Sequence, residues 1–436
     1  MSHFDRQSDF QMGRQGSDGV VLGAINDLDR GTVSDCKKKI KVLYIDYTIG
    51  FGGATKSLSL VLKGLPNVNK IIMTSQADII INKWYKGFKV YRFRRIINYR
   101  SQSLMNDYIK KRCSIVFLRT ILSKFIALFD ILVSFINILR IVKIAKSHKV
   151  NLIHINTAFV LEGILAARIL KVPCIVHVRG YFRPEEKHIL NVVRLISHMI
   201  CVSKAVANSE YAGRTLHSKR TTIYDPVDLK LFDGNSNKRE SIRRHWNLRE
   251  EDIAVGIFGR VVQWKGQLEF VRAILNVMKV KKNVRAFIVG DESDGPVEYF
   301  NQIKEIINNS DMKASFILTG YQEDVEAYYF AMDIVVHASI EPEPFGMVVP
   351  EGMAAKKPLI AMNAGGPPEV INPGVDGILI TPGDIEGMTA AILELANDPI
   401  KRQVMGLNGY NKARERFTIQ SIASEVESVY KKLLSI

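Results

Sequence analysis

The chain has 436 residues, a formal net charge of +16, 47% hydrophobic and 24% charged residues, the balance of an ordinary globular protein long enough for two or three cores. Its four cysteines, Cys36, Cys113, Cys174 and Cys201, show no CxxC pairing and no zinc spacing, so they read as free thiols in a reducing compartment. The charge is uneven: residues 37–230 carry 34 Lys and Arg against 10 Asp and Glu, whereas residues 231–436 carry 23 against 28. A basic half joined to a mildly acidic half should turn its basic part toward something anionic, namely a membrane surface, an acidic substrate or nucleic acid.

Residues 1–36 are polar, lack the apolar core of a signal peptide and read as a disordered tail. The first strand-like run, Ile40–Asp46, leads into "GFGGATKSLSL". Glycines between a strand and a helix let backbone N–H groups approach an anion at a helix N-terminus. The stretch fails as a Walker loop, because Thr55 replaces the glycine before Lys56-Ser57. It also fails as a dinucleotide fingerprint, because the third glycine is missing at the same place. Taken alone, it reads equally well as a tight strand–helix turn with no ligand. Further apolar runs follow at 71–75, 89–93, 151–156, 174–180, 199–203 and 221–224. They alternate with helical patterns, as in parallel sheets covered on both faces.

The segment Cys113–Lys146 breaks this alternation. It is long, apolar and helical in character, but Arg119, Lys124, Asp130 and Arg140 interrupt it. It falls short of the roughly 18–20 uncharged residues of a membrane span. Two readings stay open: a buried helix or helix pair, or an interfacial helix whose basic flanks suit anionic lipid.

A polar stretch, "YDPVDLKLFDGNSNKRE" (224–240), reads as a linker, after which the alternation restarts. Runs at 253–259, 285–290, 315–320, 334–339, 358–363 and 377–381 make a second α/β set. The expected organisation is two doubly wound, Rossmann-like parallel-sheet domains, 37–230 and 231–416, facing a central cleft. Ligands should bind beyond the carboxyl ends of the strands. In "HASIEPEPFGMVVPEGMAAKKPLIAMNAGGPPEVI", Glu343 and Glu351 stand eight apart, one in a loop and one in the first turns of a helix beginning around 346–348. Ionised carboxylates accept hydrogen bonds from vicinal hydroxyls, so the pair suits a polyhydroxylated ligand. The competing reading is that Glu351 complements a helix dipole and Glu343 is solvated.

This wording resembles the EPFG…E signature of family 4 retaining glycosyltransferases, which have the GT-B fold. "GIFGRVVQWKGQLEFVRA", "FILTGYQEDVEAYYFAMDIVVHAS", "VSKAVANS" and "TTIYDPVDLKLF" resemble further family segments, with Asp225 where Asn is common. "ERFTIQSIASEVESVYKKLLSI" resembles the family's C-terminal helix, here residues 417–436, which packs back on the first domain. The likeness runs over about residues 40–436 and is closer after about 200. It implies an N-terminal acceptor domain and a C-terminal nucleotide-sugar domain. It implies that Gly52 and Gly53 let the backbone approach a donor diphosphate, and that Arg260 and Lys265 neutralise the charge growing on the leaving group. Arg260 and Lys265 as plain surface charge is the alternative. Glu351 would bind the ribose hydroxyls, Glu343 hydroxyls of the transferred sugar, and Gly365 and Gly366, with Phe345 and Gly346, part of the pocket. Tyr321 would wall the base or simply pack. A family histidine is expected six residues after Pro173, where this chain has Arg179; His177 lies two residues earlier on the same strand face. Either Arg179 takes that place among the catalytic residues, or His177 serves as a binding residue or a plain core histidine.

The implied activity is transfer of a sugar from a UDP- or GDP-sugar, a substrate rather than a cofactor, with retention and without a metal. The acceptor is expected to be a glycan or lipid-linked molecule at the cytoplasmic membrane face, with the protein peripheral on an anionic surface. Two alternatives stand beside it: a GT-B sugar-nucleotide epimerase, and a catalytically silent membrane-docked partner subunit. Nucleic acid is not expected as a partner, because no binding motif accompanies the basic half.

Overall fold

Each of the thirteen apolar runs forms a strand in the computed structural model, which describes residues 39–47, 53–93, 116–157, 160–181, 194–209, 219–233, 236–292 and 295–436. The first half runs β1 (Ile40–Asp46), α1 (Gly53–Lys63), β2 (Val68–Thr74), α2 (Asp78–Trp84), β3 (Lys89–Arg92), α3 (Val116–Ser147), β4 (Leu152–Asn156), α4 (Leu161–Leu170), β5 (Cys174–Val178), β6 (His198–Cys201), α5 (Lys204–Ala207) and β7 (Arg220–Thr222). The second half runs α6 (Ser236–His245), β8 (Ile253–Phe258), α7 (Gln267–Val280), β9 (Val284–Val289), α8 (Val297–Asn308), β10 (Phe316–Gly320), α9 (Val325–Ala331), β11 (Ile334–His337), α10 (Val348–Ala354), β12 (Leu359–Met362), α11 (Pro367–Val370), β13 (Ile378–Ile380), α12 (Ile385–Asn397), α13 (Pro399–Arg416) and α14 (Ile419–Leu434).

Two sheets result, ordered β3-β2-β1-β4-β5-β6-β7 and β10-β9-β8-β11-β12-β13. Pairing within both is parallel. The central strands are buried along their whole length, for example β4, β5, β8 and β11. That burial is why they read as continuous apolar runs rather than alternating ones. The strand order reverses between β1 and β4 in the first sheet and between β8 and β11 in the second. Such switch points open a crevice at the carboxyl ends of the strands.

The stretch 224–240, expected to be a plain linker, is more structured than its composition suggests. Val227 bridges to Thr418, Leu229–Phe232 forms a 3-10 turn capped by Asp228, and α6 packs on α9. The last helix, α14, lies against α1 and buries Ile422, Val426 and Tyr430 among Tyr44, Leu58 and Val61. A side chain at Gly64 would meet Ala423 Cβ at 2.5 Å, so this position needs glycine for the two helices to meet.

The long apolar segment is one helix, α3, of 32 residues. Asn137, Ile141 and Ala145, one turn apart, are buried and face the packing with α4. Ile131, Leu132, Phe135, Ile136 and Leu139 are exposed. The helix is therefore core on one face and apolar toward solvent on another. No helix among the described residues is long and apolar enough to cross a membrane. Cys174 and Cys201 are buried free thiols, and burial pushes both up to about 12. The N-terminal tail, Cys36, Cys113 and Gly52 lie outside the described residues.

Candidate active site

The second switch point gathers Arg260, Lys265 and Glu343 from two loops, those after β8 and β11. After β8 the chain turns at Gly259 and presents Arg260 at a cavity of about 700 Å³. A 3-10 turn, Gln263–Lys265, then docks on the loop after β11, where the Ile340 N–H donates to the Trp264 carbonyl at 2.9 Å. Gly266 makes this possible: its φ is +73°, and a Cβ there would lie 1.9 Å from the Ala338 carbonyl oxygen. The Lys-Gly pair thus has a steric cause, and the docked turn delivers Lys265 to Glu343.

Lys265 Nζ donates to both Glu343 oxygens at 2.6 Å. Glu343 Oε2 also accepts from Ser339 Oγ at 2.8 Å and lies 3.0 Å from His337 Nε2. Burial pushes the Glu343 carboxyl up, but the Lys265 charge and the His337 contact outweigh it and hold the group well below the ordinary carboxylate range. Glu343 is therefore an ionised hydrogen-bond acceptor. His337 and Ser339 escaped the sequence reading, although both lie in the quoted stretch. Their two-residue spacing at a strand end puts them on one face, and that spacing was the available signal.

The loop carrying Glu343 is clamped by the two glycines after β12. Glu343 and Gly365 form a parallel bridge, and the Gly366 N–H donates to the Glu343 carbonyl at 2.8 Å. A Cβ on Gly365 would meet that carbonyl oxygen at 2.1 Å, and one on Gly366 would meet Phe345 Cα at 2.5 Å. These glycines set Glu343 by close backbone packing. Phe345 is buried and stacks on Tyr224, with ring centroids 5.6 Å apart, and Gly346 sits against the His337 ring.

Glu351 falls in α10, as its spacing implied, but it does not pair with Glu343. Its Oε1 accepts from Lys56 Nζ at 2.7 Å and its Oε2 from the Tyr329 hydroxyl at 2.9 Å. Lys56 lies on α1 of the first half, so this ion pair crosses from one sheet's elements to the other's. Burial alone would lower the Lys56 ammonium, but Glu351 outweighs it and the group is raised. A contact between residues 295 apart in the chain leaves no local signal. Glu369 makes a second crossing. It accepts from the Lys204 and Ala205 N–H groups at the start of α5 and from the Tyr224 hydroxyl.

The cavity lies beside the Lys56 crossing. Gly53, Lys56 and Trp84 line it from the first half; Arg260, Asp291, Tyr321 and Glu326 line it from the second. Gly53 faces Met347, whose Cγ would be 3.8 Å from an added Cβ. Tyr321 is 48% exposed on this wall. Among the described residues no group of three or more His, Cys, Asp or Glu is placed to hold a metal ion.

Arg179 and His177 belong to the other switch point. Asp46, at the end of β1, is fully buried and accepts from Thr55, Tyr85 and Asn156. Thr55, the residue at which both phosphate-loop patterns fail, ties α1 to β1 and also accepts from Gln76. Arg179 donates to Asn156 Oδ1 at 2.7 Å, to Ser57 Oγ at 2.9 Å and to Asp225. His177 is buried in β5, 3.4 Å from an Arg179 nitrogen. Burial, then Arg179 and His154, keep its ring neutral. The structure joins these two to a buried network of the first sheet and not to the Lys265–Glu343 cluster.

Residues 238–412 match the model of the family Glycosyl transferases group 1. Spore coat protein SA of Bacillus subtilis (strain 168) is 29% identical over 249 residues, 53% of this chain and 65% of that protein. Lipopolysaccharide core biosynthesis mannosyltransferase LpcC of Rhizobium leguminosarum bv. viciae is 27% identical over 256 residues, 57% of this chain and 69% of that protein. The chain thus spans about two thirds of the length of these curated relatives, slightly less for the first. Among solved structures, Anabaena Alr3699/HepE in complex with UDP-glucose superposes with a TM-score of 0.72 at 21% identity, over 90% of this chain and 100% of that one. A glycosyltransferase from Rickettsia africae ESF-5 superposes with a TM-score of 0.71 at 20% identity, over 91% and 99%. With two all-parallel sheets and these solved neighbours the chain has the GT-B fold, and its residues 238–412 match the model of the glycosyl transferases group 1 family.

Proposed function

We propose that this protein transfers a sugar, with retention of configuration, from a nucleotide diphosphate sugar to a glycan or lipid-linked acceptor. The observation that carries the reading is the Lys265–Glu343 pair at the second switch point, beside a cavity that Arg260 lines and Gly53 closes from the opposite side. The donor's nucleotide lies in that cavity, with Tyr321 near the base, Glu351 on the ribose hydroxyls, and the diphosphate between Gly53 on one side and Arg260 and Lys265 on the other. As the bond from the sugar to the phosphate oxygen breaks, its electron pair stays on that oxygen. A fixed guanidinium and ammonium stabilise this charge more in the transition state than in the ground state. The acceptor hydroxyl oxygen bonds to the sugar from the same face and passes its proton to a donor phosphate oxygen. Glu343, held ionised, accepts from hydroxyls of the transferred sugar. Gly346, Gly365 and Gly366 keep its loop in place. Arg179 ties the first crevice together through Asn156, Ser57 and Asp225 and is not a base, because a guanidinium does not deprotonate in proteins.

The mannosyltransferase name of one relative and the UDP-glucose bound to one structural neighbour support a nucleotide-sugar donor. The acceptor is placed at an anionic membrane surface on the cytoplasmic side. The exposed apolar residues of α3 and the Lys and Arg excess of residues 37–230 support that placing. The test is release of free UDP or GDP when the protein, a nucleotide sugar and a membrane extract are combined, in the presence and absence of excess EDTA. Release that persists in EDTA supports a metal-independent transferase. Loss restored by magnesium or manganese overturns metal independence, and no release from any UDP- or GDP-sugar overturns the transferase reading.

A further inference from the structure

The Lys56 ammonium sits between two carboxylates of the second half. It is 2.7 Å from Glu351 Oε1 and 3.8 Å from Glu326 Oε1, and all three side chains are at most 18% exposed. Among the described residues Glu351 has one further fixed donor, the Tyr329 hydroxyl on Oε2. The Tyr329 ring is itself held by stacking on Phe258 at the end of β8, with centroids 3.9 Å apart. An ionised carboxylate offers about four lone-pair sites, two on each oxygen. Lys56 takes one on Oε1 and Tyr329 takes one on Oε2, which leaves one on each oxygen. Two adjacent acceptor sites on one rigid carboxylate match a vicinal diol. Lys56 therefore does not have to leave for a ribose to enter. Without it, Glu326 and Glu351 would share a nearly closed space with no counter-charge, and the Glu351 carboxylate would lose one of its two anchors.

We propose that Lys56 is a positioning residue of the nucleotide site, holding the Glu351 carboxylate across the cleft so that its two remaining acceptor sites meet the ribose hydroxyls. The proposal rests on the nucleotide-sugar reading above. It makes α1 of the first sheet, through one side chain, part of the nucleoside recognition otherwise built by the second sheet. Occupancy of the nucleoside site is then coupled to the approach of the two sheets.

The experiment compares wild type with Lys56→Met, Lys56→Arg, Glu351→Gln and the Lys56→Met/Glu351→Gln double variant. Binding of UDP, GDP and ADP is measured by calorimetry, beside inorganic pyrophosphate as a probe without ribose. The tightest nucleotide should bind Lys56→Met roughly ten- to hundredfold more weakly, the size of a lost charged hydrogen bond. Donor KM should rise with little change in kcat, and Lys56→Arg should recover most of the loss. Pyrophosphate should bind Lys56→Met as it binds wild type. In the Glu351→Gln background, Lys56→Met should have little further effect. Equal or tighter nucleotide binding by Lys56→Met, additive effects of the two substitutions, or an equal loss for pyrophosphate would each overturn the assignment. If Lys56→Met does not fold, Lys56→Gln carries the same comparison. If wild type binds none of the three nucleotides, the nucleotide-sugar reading falls together with this one; if wild type binds and Lys56→Met matches it, only the role of Lys56 falls.

Discussion

The two switch points of this molecule carry similar residues in opposite states. At the first, Asp46, Thr55, Asn156, Arg179 and Asp225 meet one another, and the crevice is closed by its own hydrogen bonds. At the second, Arg260 lines an open cavity, and the Lys265–Glu343 pair stands beside it on a loop clamped by glycine. The first network joins β1, α1, β4, β5 and the segment after β7, as a structural hub does. The second sets Arg260 on the wall of a cavity, with the paired Lys265 and Glu343 next to that wall. Charge at a sheet's carboxyl edge is therefore not by itself a sign of chemistry; what matters is whether it borders a cavity that a ligand can enter.

The comparison can be broken first at Arg179. Arg179→Met leaves the Asp225 carboxylate buried without its cation, which should cost about 3–5 kcal/mol. Urea unfolding should show that loss, with turnover per folded molecule changed much less. A stable protein with abolished turnover would move Arg179 into the catalytic site and erase the distinction between the crevices. Lys265→Ala should do the reverse. Loss of leaving-group stabilisation appears in kcat more than in KM, by about 10²–10³-fold, or roughly 2.7–4 kcal/mol. A pure KM effect in steady-state nucleotide release would make Lys265 a binding residue only.

Glu351→Ala should weaken binding of the free nucleoside diphosphate by roughly 1.5–3 kcal/mol, while Glu351→Asp keeps part of it. Unchanged calorimetric affinity would remove Glu351 from the ribose site. Glu343 sharpens the contrast through pH. Its folded carboxyl is held well below the ordinary range by Lys265 and His337 against burial. A depressed folded value contributes stability above the unfolded one, about 4.3, and loses it as pH falls toward the folded one. The stability deficit of Glu343→Gln should therefore be full at neutral pH and shrink in acid. A deficit independent of pH would mean that packing, not charge, holds the loop. The smallest effect concerns the surface. The protein should float with anionic vesicles at low salt and less with neutral ones, and added salt should release part of it over a Debye length of about 8–10 Å. Lys110, Lys111 and Arg112 changed together to Gln should weaken flotation. Indifference to anionic vesicles would leave the apolar face of α3 without a lipid role.

Strands such as β4, β8 and β11 were legible because full burial on both faces writes a continuous apolar run into the chain. The loop position of Glu343 and the helical position of Glu351 were legible for a similar reason, since each depends on neighbours a few residues away. What α3 does with its length was not, because one helix shows Ile141 to the core and Phe135 to solvent, and composition does not separate the faces.

By itself the sequence determined two parallel α/β sets, their order along the chain, and the residues at the ends of β8 and β11 from which a charged site is built. Local propensity, apolar periodicity and steric need for glycine act over short distances, and the chain records them directly. Only the tertiary structure decided the pairings: Lys265 with Glu343, Lys56 with Glu351, and Arg179 with Asp225. Each joins residues far apart in the chain, and an ion pair's partner is chosen by which groups folding brings together away from water. That choice separates a crevice filled by its own hydrogen bonds from one that borders a cavity.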